Sequence, residues 1–204
     1  MNLLQINNAS FLPEWLKRAD LSLFHKINSD WTNGFLDHVL LYAREPFVWF
    51  PFYIFIALFV IINFRINGWI WVLVLAITIM ISDYTSSSII KDLFFRLRPC
   101  RDPMVAHNMH FIASYCPISS SFVSSHAVNH FAIATFIYIT FKNVLSNKWA
   151  IIFAWAILVC YAQVYVGVHF PVDVVCGAIV GIILGFVSGM IFRRYAGLPD
   201  YFNS

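Results

Sequence analysis

Two cations, two histidines, two serines and a carboxylate stand out in an otherwise apolar chain. Lys91 and Arg98 are seven residues apart, and Pro99 follows Arg98. Ser124, Ser125 and His126 are consecutive, and His169 precedes Asp173 by four residues. Two cations suit an anion with several oxygens, which an arginine fork grips in pairs. Serines are good helix N-caps, and the N–H groups of the turn that follows point at the same kind of anion. Of two histidines, one can serve as nucleophile and the other as proton donor. The Asp173 carboxylate can hold one nitrogen of the His169 ring as N–H and leave the other free to attack, provided Pro171 sits in the first turn of a helix. These residue types describe phosphoryl transfer by positioning and charge stabilisation.

The elements that must carry them are apolar. Of 204 residues, 60% are apolar and 11% charged, and the mean hydropathy is +0.74. Soluble domains have about 45–50% apolar and roughly 25% charged residues, so a soluble globular enzyme and a disordered chain are both excluded. A net charge of +3, from 13 basic and 10 acidic residues, is too small to draw a polyanion, so no nucleic-acid partner is expected. The expected fold is all-α, a polytopic membrane helical bundle forming one domain over residues 1–204. Five apolar runs, at 47–64, 69–90, 122–141, 149–168 and 172–192, approach the length of about 20 residues that a crossing helix needs. They are continuous rather than alternating, so helices rather than barrel strands are expected.

Residues 1–44 differ. Glu14, Lys17, Arg18, Asp20, Lys26, Asp30 and Asp37 are scattered among leucine, phenylalanine and tryptophan, and Leu16, Leu23, Phe24 and Ile27 recur near helical spacing. Amphipathic helices at the membrane surface are expected there, with a sixth crossing as the alternative. Five spans place the N-terminus, the loop 91–121 and the turn at His169 on one face, so all three groups of polar residues meet. Arg65, Lys142, Lys148, Arg193 and Arg194 fall on the other face, which the positive-inside rule makes cytoplasmic. A transporter would gather its ionisable groups near the midplane, whereas here all but Asp83 lie at span ends.

The order Lys-x6-Arg-Pro, Ser-x-His, His-x3-Asp resembles the three-part signature of the type 2 phosphatidic acid phosphatase superfamily, over residues 91–173. That superfamily includes membrane lipid phosphatases, undecaprenyl pyrophosphate phosphatases, glucose-6-phosphatase and vanadium haloperoxidases. The resemblance implies a membrane lipid phosphatase acting on a lipid phosphate or pyrophosphate, with the bilayer and that lipid as partners. It implies His169 as the nucleophile that becomes a phosphohistidine, Asp173 as its orienting group and His126 as the acid for the leaving oxygen. Lys91, Arg98, Ser124 and Ser125 would hold phosphate oxygens, with no metal and no cofactor, in a fold of six membrane helices. A bacterial inner membrane with the site facing the periplasm is the expected location.

Two positions depart from the pattern. The second motif usually reads Pro-Ser-Gly-His, and here reads Val123-Ser124-Ser125-His126. The third usually opens Ser-Arg six residues before its histidine, and here those residues are Ala162 and Gln163. Gln163 can reach phosphate by hydrogen bond but brings no charge, so transition-state stabilisation is weaker unless Arg96 or Arg101 compensates. An inactive or transferase relative is the alternative that follows.

Smaller features surround these. Cys100 and Cys116 lie in the motif loop, and a disulfide is expected if that loop is periplasmic, contributing about 3 kcal/mol by loop closure. A zinc site joining them to His107 and His110 is the minor alternative. Asp83, Ser87 and Lys91 form a polar stripe, and Asn129 and His130 lie on a face close to that of His126. Gly177, Gly181, Gly185 and Gly189 form a ridge for close packing within the bundle or for a dimer seam.

Overall fold

The computed structural model describes residue 9 and residues 11–145 and 150–198. Lys148, Trp149 and residues 1–8 and 10 lie outside the described residues. Among those described, seven α-helices follow one another and no strand occurs. They are α1 (Glu14–His25), α2 (Gly34–Ala43), α3 (Phe50–Tyr84), the single turn α4 (Lys91–Leu93), α5 (Ser125–Leu145), α6 (Ile152–Tyr165) and α7 (Pro171–Tyr195).

The two apolar runs flanking Arg65 fold as one helical path that reverses on itself. Arg65 takes φ 50° and ψ −121°, a conformation no helix interior contains. Gly68 then lies against the backbone of Val60 and Ile61, so closely that any side chain there would strike it. Eight residues of straight helix rise about 12 Å, so this contact exists only because α3 is a hairpin of two legs, residues 50–64 and 66–84. Asn67 ties the reversal to the far end of α7 through a 3.1 Å bond to the Gly197 carbonyl.

Helices α5 and α7 run parallel, their first turns at the same end of the bundle. The glycine ridge of α7 is the seam between them. Gly177 faces Ser124 and Ala127, Gly181 faces Val128 and Ala132, Gly185 faces Ala132 and Thr135, and Gly189 faces Ile139. Glycine is required along this line because a methyl group at Gly177 would lie 2.8 Å from the Ser124 carbonyl oxygen. The ridge thus serves packing within the bundle. Below the site, Trp71, Phe136, Phe141 and Phe192 form a buried aromatic core, and the Trp71 indole N–H is satisfied by Thr140 Oγ1 at 2.9 Å.

The amphipathic stretch folds as α1 and α2, with α1 extended by a wider turn through Asp30. Asp20 accepts the Val172 N–H at 2.8 Å, and Asn28 donates to the Tyr165 carbonyl at 2.7 Å. Val172 opens α7 and Tyr165 closes α6, so α1 lies across the end of the bundle where those helices meet. Phe24, Ile27 and Leu40 bury themselves there against Tyr165 and Phe170. Asn33 caps α2 by accepting the Leu36 N–H at 2.9 Å.

Helix α5 starts three residues later than the apolar run beginning at Phe122, because Ser124 acts as its cap, accepting the Ala127 N–H at 3.4 Å. The helical path Pro46–Leu93 and α7 are each long and apolar enough to cross a membrane, and α6 is a shorter apolar helix. Large apolar side chains such as Phe55, Ile62, Trp69, Leu73 and Met80 point outward. Hydrocarbon rather than water suits such a surface, and the chain is an integral membrane protein.

The seam is testable. Gly181→Leu presses on the Val128 carbonyl and should destabilise the bundle by about 1–3 kcal/mol, read as a lower melting temperature in detergent. An unchanged melting temperature with altered oligomeric state would instead mark the ridge as a dimer surface.

Candidate active site

The parallel arrangement brings two helix N-termini, each carrying partial positive charge, to one spot. Ser124 caps α5, and its own N–H donates to the Asp173 carbonyl at 3.1 Å, tying that cap to the first turn of α7. The backbone N–H groups of Ser125 and His126 have no partner among the described residues and are free for an anion.

His169 stands in the turn between α6 and α7 and is 2% exposed. Gly167, at φ 85°, makes the bend that delivers it. Its backbone N–H donates to the Gln163 carbonyl at 3.2 Å. Ring Nε2 lies 3.1 Å from Arg98 Nη1, while Nδ1 faces Ser121 Oγ at 3.4 Å and Asp173 Oδ2 at 3.8 Å. The last distance is too long for a hydrogen bond. Asp173 thus faces the His169 ring without a direct hydrogen bond. Burial, helped by Arg98 and opposed by Asp173, pushes the imidazole pKa down to about 4, so the ring is neutral at physiological pH.

Asp173 does more than face His169. Pro171 is the first residue of α7, as the spacing required, and Asp173 in the same turn reaches back to the Phe170 N–H at 2.9 Å. The same oxygen accepts the Ser121 hydroxyl, and the other accepts Arg96 Nη1 at 2.7 Å. Arg96 donates its Nη2 to Asp20 of α1 and lies 4.0 Å over the Phe170 ring. All three ionic groups are buried.

Arg98 is 5% exposed and is held by backbone: Nε donates to the Ser119 carbonyl at 3.0 Å and Nη1 to the Val168 carbonyl at 3.1 Å. Burial draws its pKa down to about 10, which leaves it a cation at neutral pH. Lys91 Nζ reaches across from α4 to Ser125 Oγ at 3.0 Å. His126 is the second residue of α5, directly after Ser125. Its carbonyl accepts from His130 Nδ1 at 2.8 Å, and the two rings stack with centroids 6.1 Å apart. Beside His126 opens a cavity of about 350 Å³ whose lining includes Pro46, Tyr53, Ile79, Asp83 and Asn129. A smaller apolar cavity of about 80 Å³ continues between the legs of α3 and shares Tyr53, Ile79 and Ile133 with it.

Lys91, Arg98, Ser124, Ser125, His126, His169 and Asp173 thus gather at one end of the bundle. Gln163 stands just behind His169, supporting it through backbone, with its side-chain Nε2 buried and unpartnered. Neither proposed substitute for the missing arginine faces the histidines: Arg96 is committed to two carboxylates, and Arg101 donates to the Pro117 and Cys116 carbonyls at 3.0 Å. Cys100 and Cys116 are disulfide-bonded, and His110 pairs with Asp37 at 2.9 Å, which removes the zinc alternative's ligands. Asp83 accepts from Asn129 at 3.2 Å, which links the polar stripe to α5 while Asp83 and Ser87 stay exposed. Sequence reasoning missed Asp20, Ser121 and the position of Arg96.

A neutral buried imidazole backed by a carboxylate, faced by cations and helix N-termini inside an apolar bundle, defines a membrane phosphoryl-transfer protein. The chain belongs to the PAP2 superfamily, whose family model matches residues 67–195 and so spans all three motifs. It is 30% identical to a lipid A 4'-phosphatase of Bacteroides thetaiotaomicron, over 82% of this chain and 74% of that protein. It is also 33% identical to one of Porphyromonas gingivalis, over 53% of this chain and 45% of the relative, and 30% identical to an undecaprenyl-diphosphatase of Sulfolobus acidocaldarius, over 78% and 70%. Among solved structures it resembles LpxE of Aquifex aeolicus, with TM-score 0.60, 29% identity and coverage of 86% of this chain and 94% of that one. A PAP2-type phosphatidylglycerolphosphate phosphatase of Bacillus subtilis shares the fold at TM-score 0.68, with 20% identity and coverage of 92% and 90%.

Two outcomes follow from this geometry. Arg96→Gln leaves Asp20 and Asp173 buried without their shared cation and should cost about 3–5 kcal/mol, seen in thermal unfolding. Histidine ¹⁵N NMR of the free protein, assigned by loss of the signal in H169N, should show His169 protonating near pH 4. A midpoint near the ordinary histidine value, about 6.5, would contradict the enclosed, Arg98-facing ring.

Proposed function

We propose that this membrane lipid phosphatase of the PAP2 type removes a terminal phosphate from a lipid phosphate or pyrophosphate through a phosphohistidine at His169. The observation that carries the reading is the two-sided grip on the ring: Nδ1 turned to Ser121 and Asp173, Nε2 turned to Arg98. Nε2 attacks phosphorus while Nδ1 keeps its proton, a P–N bond forms, and the P–O bond to the lipid breaks. His126 gives its proton to the departing oxygen and then takes one from the water that hydrolyses the phosphohistidine. Lys91, Arg98 and the free N–H groups of Ser125 and His126 hold the non-bridging oxygens as charge builds. Ser124, with its hydroxyl accepting the cap bond, contributes by fixing the start of α5. Gln163 contributes through the backbone that carries His169.

The cavity beside His126 lies where the leaving lipid would sit, and its apolar continuation between the legs of α3 suits a hydrocarbon tail. Five crossings, two from α3 and one each from α5, α6 and α7, with α1 and α2 resting on the site face, account for the outward apolar surfaces. The disulfide on that face fits an oxidising compartment, and the basic residues Arg65, Arg193 and Arg194 at the other end fit the cytoplasm. The site therefore faces the periplasm of a bacterial inner membrane. Lipid A-type phosphates and undecaprenyl pyrophosphate are the substrates to test first.

Purified protein in detergent, with chelator present, should release inorganic phosphate from one or more of these lipids. H169A should reduce release by about 10³-fold or more with unchanged melting temperature. Release that survives in H169A would remove the phosphohistidine, and release by neither protein from any lipid would favour a relative that binds lipid phosphates without turnover.

A further inference from the structure

The cavity beside His126 changes character along its length. On α5 its lining runs from Ser125 and His126 through Asn129 and His130 to Ile133, and on α3 from Asp83 to Ile79. Asn129 stands one turn past His126, about 4.5 Å along the helix. Its Nδ2 donates to Asp83 Oδ1 at 3.2 Å, so these two residues lie at one level across the cavity. The groups assigned to phosphate are on one side of that level. On the other are Ile79 and Ile133, which also line the apolar cavity between the legs of α3. The order along the cavity is ionic, polar, apolar.

The polar level consists of acceptors. A carboxylate only accepts, so Asn129 turns its NH2 toward Asp83 and keeps its oxygen. That Oδ1 is enclosed and has no hydrogen-bond partner among the described residues. His130 directs Nδ1–H to the His126 carbonyl at 2.8 Å, which makes Nε2 of the neutral ring a further acceptor, also unpartnered among the described residues. Asp83 is exposed on an apolar helix, a costly place for an ionisable group and one that marks function. Hydroxyl groups brought to this level would supply the missing donors, whereas methylene groups would leave the acceptors unpaired. A volume of about 350 Å³ is within the range that holds a small ligand.

We propose that Asp83 and Asn129 form a hydroxyl-binding subsite for the leaving group. It selects lipid phosphates that carry a free hydroxyl close to the phosphate, on a sugar or a glycerol. Lipids in which hydrocarbon follows phosphate directly, as in a polyprenyl chain, are disfavoured. The inference rests on the phosphatase reading, with His126 at the leaving oxygen.

The test compares a monoacylglycerol phosphate bearing a free 2-hydroxyl with its 2-deoxy analogue of the same chain length, in detergent. Turnover is measured on wild type, and binding without turnover as a lipid-dependent thermal shift of H169A. The hydroxyl lipid should exceed its analogue by about ten-fold or more in kcat/KM and in affinity, the scale of one hydrogen bond to a charged group. N129L and D83L should bring both ratios close to one, with inorganic phosphate still stabilising each variant. A ratio within about two-fold in wild type and H169A would overturn the proposal, as would a preference that survives intact in both leucine variants. Should these not fold, D83N decides, because it keeps the side chain's size without its charge: an unchanged ratio overturns the subsite. An acylated sugar phosphate separates the two sources, a higher kcat/KM than the glycerol lipid assigning a sugar and a lower one a glycerol. If wild type releases no phosphate from any lipid, the phosphatase reading falls, while the binding ratio still decides the subsite.

Discussion

Removing one guanidinium and two carboxylates from water costs several kcal/mol per ion, and only close pairing offsets it. Arg96 achieves that pairing by standing between Asp173 of α7 and Asp20 of α1. The consequence spreads outward. Asp173 cannot rotate away from His169 without abandoning Arg96, Ser121 and the Phe170 N–H together. α1 cannot lift from the end of the bundle without exposing Arg96 and freeing the Val172 N–H. A helix distant in sequence is thus fastened to the first turn of α7.

The glycine seam performs the complementary task from inside the bundle. Parallel neighbours normally stand apart by the thickness of their side chains, some 8–10 Å between axes. Bare backbone along one line of α7 lets α5 approach until Ser124 can donate to the Asp173 carbonyl. Two helix starts then meet at one spot, and α6 returns the chain between them. Arg98 completes the ring by leaning on the Ser119 and Val168 carbonyls, which fixes where its fork points.

The residues that gather at the end of the bundle were legible in the sequence because their types are rare in an apolar chain and their spacing is short. The apolar helices were legible from hydropathy, including the break at Arg65. What could not be read was pairing over long separation. Asp20 is one of several acids in an amphipathic stretch, and nothing local distinguishes it from Asp30 or Asp37. Arg96 read as one of four basic residues crowded into a loop, and its burial depends on α1 folding over it. Ser121 was hidden for the same reason: a serine before an apolar run is ordinary until its hydroxyl is found on Asp173. The placement of α1 was equally beyond local reading, since Asp20 and Asn28 find their partners at the end of the bundle where α6 and α7 meet.

The convergence of two helix starts on one spot has a kinetic side. Dipoles and cations that attract the phosphate of a lipid attract free orthophosphate equally, because both present the same oxygens. Once the lipid alcohol has left, nothing in the phosphate cradle itself distinguishes product from substrate. The difference in affinity rests on the tail and its cavity alone. A phosphatase working at such a site would bind its own inorganic product, and orthophosphate would slow its turnover.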